Sequence, residues 1–125
     1  MKILLLEGRF AICRLRATDA VPPWAALGPF SSITRTADEL SVVCAAASGP
    51  ERVRADRGWR CLRVAGTQDL SLTGVLASIA TPLAAARVSL FVVATYDTDY
   101  VLVREESLAA AVEALEGGGH DVEQA

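Results

Sequence analysis

Between Trp59 and Gly119 the apolar residues run as a strand, a helix, two strands and a second helix, and this order restricts the fold more than any other feature. The run "WRCLRVAG" is short, β-rich and ends on glycine, as a strand does. In "SLTGVLASIATPLAAAR", Leu72, Val75, Leu76, Ile79 and Leu83 recur at the spacing of one helical face. Ser71 or Thr73 is placed to cap this helix, because a hydroxyl there accepts from the exposed amides of the first turn. Pro82 removes the donor that would meet the Ser78 carbonyl, so a kink or a loosened last turn is expected, not a break into two helices.

"VSLFVVA" and "YVLV" are the next two strands, joined through "TYDTD". A second helix follows in "EESLAAAVEALEGGG", with Glu105 and Glu106 at its positive end, an apolar stripe of Leu108, Ala111, Val112 and Leu115, and three glycines to stop it. Strand, helix, strand, strand, helix is a ferredoxin-like α+β unit without its last strand. The missing strand would leave a bare sheet edge, which Ile3 to Leu6 can fill from the other end of the chain.

The first half reads mainly as strands. "RFAICRL" alternates, and "FSSITRT" and "LSVVCA" form a hairpin about "ADE". Pro22 and Pro23 open a single helical turn, with Trp24, Ala25 and Leu27 packed inward and Gly28 ending it. Residues 45 to 58 read as a loop joining the halves, and Arg52, Arg54, Arg57, Arg60 and Arg63 raise the alternative of a phosphate-binding surface. The interleaved Glu51 and Asp56 favour a solvated loop. The expected organisation is an N-terminal half over 1–57, a second module over 58–116 whose edge strand 3–6 completes, and a disordered tail over 117–125.

A hydrophobic content of 52% allows a real core, and a net charge of -3 argues against general nucleic-acid affinity. The apolar run at the N-terminus stops at Glu7, too short for a secretory segment, and no stretch is long enough to span a membrane. Cys13, Cys44 and Cys61 are odd in number and lie in apolar segments, as small core residues of a cytoplasmic protein do. No pair has metal-ligand spacing, and the sole histidine, His120, sits in the tail. Asp97 and Asp99 alternate onto one strand face, but no nucleophile, phosphate loop or metal set accompanies them. Neither catalytic residues, a metal nor a cofactor is therefore expected.

The stretch from Trp59 to Leu115 resembles an ACT domain, the small regulatory module of amino-acid metabolism. "FAICRL", "PFSSITRTADELSVVC" and "ATYDTDYVLV" extend the likeness to small bacterial tandem-ACT proteins, and the second half is also similar to the ACT modules of cytosolic arginine sensors. The resemblance implies ferredoxin-like βαββαβ modules in tandem, with antiparallel sheets and helices on one face. It implies an amino-acid ligand held at a module interface, within one chain or between two, and a homodimer is expected. It carries Leu72, Thr73 and Gly74 over as the ligand turn, Thr95, Tyr96 and Asp99 as the hairpin contacts, and Ser31, Ser32 and Ile33 as a strand from the partner module. Leu72 stands where the arginine sensors carry an acid, which leaves a neutral or differently charged amino acid open.

The residues themselves fit such a ligand. Amides at a helix start suit a carboxylate, and an aspartate suits an ammonium. Asp97 and Thr98 read as ordinary turn residues, whereas aspartate at position 99 is unusual in opening a β-branched strand. The alternative to a ligand-binding regulator is a structural or oligomerising module that holds no ligand. A regulator without an attached catalytic domain would also need a protein partner, whose identity the sequence leaves unknown.

Overall fold

The computed structural model describes residues 1–47, 49, 51–66 and 74–125. Its strands are β1 (Lys2–Leu5), β2 (Phe10–Leu15), β3 (Ser32–Arg35), β4 (Leu40–Ala45), β5 (Arg54–Val64), β6 (Leu90–Ala94), β7 (Asp99–Arg104) and β8 (Asp121–Gln124). Its helices are α1 (Val75–Ala85) and α2 (Leu108–Gly117), with 3-10 turns at Pro23–Ala26 and Glu105–Ser107. The chain divides into an inner unit, Gly8–Trp59, and an outer unit formed by Met1–Glu7 with Arg60–Ala125. β5 belongs to the inner unit through Trp59 and to the outer unit from Arg60 onward.

The outer unit carries the sheet order β6, β7, β5, β1, β8, in which β6 runs antiparallel to β7, β1 antiparallel to β5 and β8 parallel to β1. From β5 to β8 the elements complete the ferredoxin-like βαββαβ pattern, and β1 adds a strand between the two ends of that pattern. Alternation along the strands decides the core. Ile3 and Leu5 of β1, Leu62 and Val64 of β5, and Val101 and Val103 of β7 share one face with Ile79 and Leu83 of α1 and Ala111 and Leu115 of α2. Both helices therefore pack on the same side of this sheet. Leu76, expected on the buried stripe of α1, is 36% exposed, because the buried arc is narrow and carried by Ile79 and Leu83.

The disordered tail is corrected. Asp121–Gln124 pairs with Lys2–Leu5, the Asp121 amide donates to the Met1 carbonyl at 3.0 Å and the Ala125 amide to Leu5 at 2.9 Å. An edge that β1 leaves open supplies the hydrogen bonds that make these residues a strand despite their polarity.

Pro82 is accommodated inside a continuous α1. The Ser78 carbonyl, which loses its intrahelical donor to proline, instead accepts from Nε2 of His120 at 2.8 Å. Because that carbonyl can only accept, the imidazole proton sits on Nε2, and Nδ1 accepts from the Met1 ammonium at 3.2 Å. His120 is buried, and it joins the segment after α2 to the helix that Pro82 would weaken.

The inner unit has the order β3, β4, β2, β5, all antiparallel. Its core face carries Ala11, Cys13, Leu40, Val42 and Cys44, with Ala25 of the 3-10 turn buried against them and Trp24 beside it. Leu27 faces outward at 54% exposure, contrary to the sequence expectation, because the 3-10 turn ends at Ala26 and the chain is already extended at Leu27. On the opposite face Phe10 meets Phe30 edge-on with centroids 6.0 Å apart. The presumed loop 45–58 is shorter than expected: Arg54 to Gly58 are part of β5 and pair with β2 across a bulge near Ala11.

Candidate functional site

The hairpin between β6 and β7 is the best-defined part of the expected site. The Thr95 amide donates to the Thr98 carbonyl at 2.9 Å, the Thr95 hydroxyl donates to the same oxygen at 2.9 Å, and the Thr98 amide returns a bond to that hydroxyl at 3.3 Å. This closed ring of bonds holds the turn without help from Asp97. The Thr98 hydroxyl donates to the Val64 carbonyl at 2.9 Å. A buried threonine thus pins the hairpin to the last residue of β5, from which the loop toward α1 departs.

Asp99 opens β7 opposite Ala94 and alternates with Val101 and Val103. It therefore lies on the sheet face that carries the two helices, at the end where that face runs out of apolar residues. Its carboxylate is half-buried and makes no hydrogen bond or ion pair among the described residues. Tyr96 projects from the turn and is 81% exposed, which does not make a ligand wall by itself.

At the start of α1, Gly74 takes the N-cap position with φ of 82°, and no side chain caps the helix there. The expected caps Ser71 and Thr73 lie outside the described residues, as does Leu72, and the N-cap itself is Gly74. A Cβ at Gly74 would meet nothing within 4 Å, so its left-handed backbone and not crowding is what selects glycine. The Gly74 carbonyl accepts the first helical bond from Ser78 at 2.9 Å.

Ser31, Ser32 and Ile33 belong to the inner unit, where Ser32 and Ile33 pair with Val43 and Val42 of β4. Ser31 and Ser32 are half-buried, and Ile33 is exposed. Thr95, Asp99 and Gly74 all belong to the outer unit, and Thr98 fixes the hairpin. Thr98 was legible only as a turn residue, since its bond to Val64 joins positions far apart in the sequence.

Among the described residues no group of three or more histidine, cysteine or acidic side chains could hold a metal, and no helix is long and apolar enough to cross a membrane. The three cysteines are buried thiols. Burial pushes the Cys61 thiol up to about 12. Burial first, and then the neighbouring Cys13 thiol, push Cys44 up to about 11. Thiolates, the nucleophilic form, are thereby suppressed.

Comparison with known proteins gives these features a frame. A profile for the ACT domain matches residues 54–117, and a second, described as an N-terminal domain, matches residues 8–52. A crystal structure of a protein from Agobacterium tumefaciens is 40% identical with a TM-score of 0.94, covering 99% of this chain and 92% of that one. The human cytosolic arginine sensor for mTORC1 subunit 1 is 38% identical over 60 residues, which cover 46% of this chain and 18% of the sensor. The chain thus spans under a fifth of the curated relatives it matches. The regulatory subunit of aspartate kinase from Thermus thermophilus, 10% identical, shares the fold with a TM-score of 0.64 over 93% of this chain and 96% of that one.

The βαββαβ unit and the matching profile define the class as a ferredoxin-like α+β domain. Within that class, the chain belongs to the ACT domain family.

Proposed function

We propose that this protein is a non-catalytic, cytoplasmic regulator that binds an amino acid at the β6–β7 hairpin and the N-terminus of α1. The observation that carries the proposal is the Asp99 carboxylate, half-buried and without a hydrogen-bonding or ionic partner among the described residues. A carboxylate left without a protein partner is open to pair with a ligand ammonium. The amides that open α1 suit the ligand's carboxylate, and Thr95 adds a hydroxyl. Leu72, Thr73 and the strand Ser31, Ser32 and Ile33 complete the set carried over from the family resemblance, with Tyr96 at the rim. The relatives named for arginine sensing support an amino acid as the ligand class.

A homodimer forms part of the same reading. β6 pairs only with β7 among the described residues, and "LFVVA" carries neither charge nor proline to protect its other edge. Ligand binding would then shift the population of one arrangement of the protein, which a partner protein reads.

The test is the thermal midpoint of the purified protein against each of the twenty amino acids at millimolar concentration, with Asp99→Ala in parallel. Light scattering on the same samples gives the mass. Ligand at a hundred times its dissociation constant stabilises the folded state by about 2.7 kcal/mol, a shift of several degrees at this size. The expected result is a selective shift that Asp99→Ala abolishes, in a protein of dimer mass. No shift with any amino acid would instead favour an oligomerising module without a ligand.

A further inference from the structure

The helical face of the outer unit ends in a cleft beside β8. Register pairs Ile3 with Val122 and Leu5 with Gln124, so Val122 and Gln124 face the helices while Asp121 and Glu123 face away. Leu5, Leu108 and Val112 give the cleft its apolar lining, Glu113, Glu116 and Gln124 its polar one, and its volume is about 540 Å3. Among the described residues β8 pairs only with β1, so the backbone groups along its other edge are open beside this cleft.

Charge marks the cleft as a place for a cation. Glu113 and Glu116 stand three positions apart on one side of α2, and both are exposed. Neither makes a hydrogen bond or ion pair among the described residues. Glu116 also stands in the last turn of α2, the negative end of the helix dipole, where no basic residue offsets it. On the other face of β8, Lys2 meets Glu123 at 3.0 Å, while Asp121 has no ionic partner among the described residues. A second copy pairing along this edge would set acidic strand against acidic strand, which opposes self-association there.

We infer that the β8 edge and its cleft dock an extended, lysine- or arginine-bearing segment of another protein, added to the sheet as a strand. Main-chain hydrogen bonds to β8 hold the segment, and its alternate side chains reach the two faces. On the helical face a long cationic side chain lays its methylene stem over Leu108 and Val112 and brings its charge to Glu113 and Glu116. On the other face a neighbouring cation meets Asp121. A purely apolar segment would fill the cleft but leave these carboxylates unpaired. None of these residues belongs to the proposed amino-acid site, so each reading stands or falls without the other.

The probe is a short fluorescent peptide of alternating lysine and threonine, whose lysines share one face when extended, and the readout is its anisotropy. Saturable binding is expected, weakened about tenfold or more in the double variant Glu113→Gln with Glu116→Gln, which loses two charge-assisted contacts. Asp38→Asn with Glu51→Gln removes the same two charges from the inner unit and is expected to bind like the parent. N-methylation of every peptide amide removes the donors of a strand while keeping each lysine, and is expected to weaken binding as strongly. No saturable binding, equal binding of the glutamate-for-lysine peptide, or parent-like binding by the Glu113 and Glu116 variant would each overturn the assignment. Equal weakening in the inner-unit variant would reduce the effect to the protein's general acidity, and undiminished binding of the N-methylated peptide would make it amine capture without a strand; both would also overturn it. Binding that fades as protein concentration rises would give the edge to a second copy instead. Both carboxylates are exposed, so the variants are expected to melt no lower than the parent.

Discussion

Thr98 decides more about the hairpin than the aspartates on either side of it. Its buried hydroxyl bonds the Val64 carbonyl, and its amide and carbonyl both bond Thr95. Thr98→Val keeps the shape but leaves a buried acceptor unpaired, so a loss of about 1–3 kcal/mol in urea unfolding is expected. Thr98→Ser, which keeps the hydroxyl, is expected to lose less. A valine variant as stable as the parent would mean that the Val64 carbonyl finds another donor. Asp99 was legible as an anomaly because aspartate is disfavoured where a β-branched strand begins. Thr98 was not, because threonine in a turn is ordinary and its decisive partner lies 34 positions away.

Periodicity made the elements from Trp59 to the end of α2 readable, since each buries one face at its own repeat. It failed where an element exists only through a distant partner. "DVEQ" has one apolar residue after three glycines, and only pairing with β1 makes it a strand. The same limit applies to α1: Pro82 is visible as a defect, but its compensation by His120 spans 42 positions. This compensation predicts coupling between two helix-distant residues. His120→Ala should cost about 1–2 kcal/mol in the parent, and roughly 1 kcal/mol less in a Pro82→Ala background, where a backbone N–H again serves the Ser78 carbonyl. A double-mutant cycle by urea unfolding reads the difference directly, and strict additivity would refute the role given to His120. Arg54 and Arg57 were legible as a group but not as part of a strand, because charge alternation does not distinguish a loop from a strand.

For the molecule as a whole, the buried thiols set an alkaline limit on stability. In the unfolded chain a cysteine ionises near 9.0, whereas burial moves Cys44 to about 11 and Cys61 to about 12 in the fold. Between those values the unfolded state has released protons that the native state retains, so stability falls as pH rises. The contribution is complete below pH 9 and is lost as pH climbs toward the native values. Urea midpoints measured from pH 8 to 11 are expected to decline, and less steeply in Cys61→Ala than in the parent. Equal slopes would show that Cys61 is not the group responsible. The pairing of β1 with β8 has a consequence of another kind. Lys2–Leu5 precedes the inner unit along the chain and Asp121–Gln124 follows it, so a ribosome releases the two paired strands far apart in time. During synthesis the first strand waits with one edge bare, so the nascent chain presents a sticky intermediate whose lifetime is set by translation speed and not by its own folding rate.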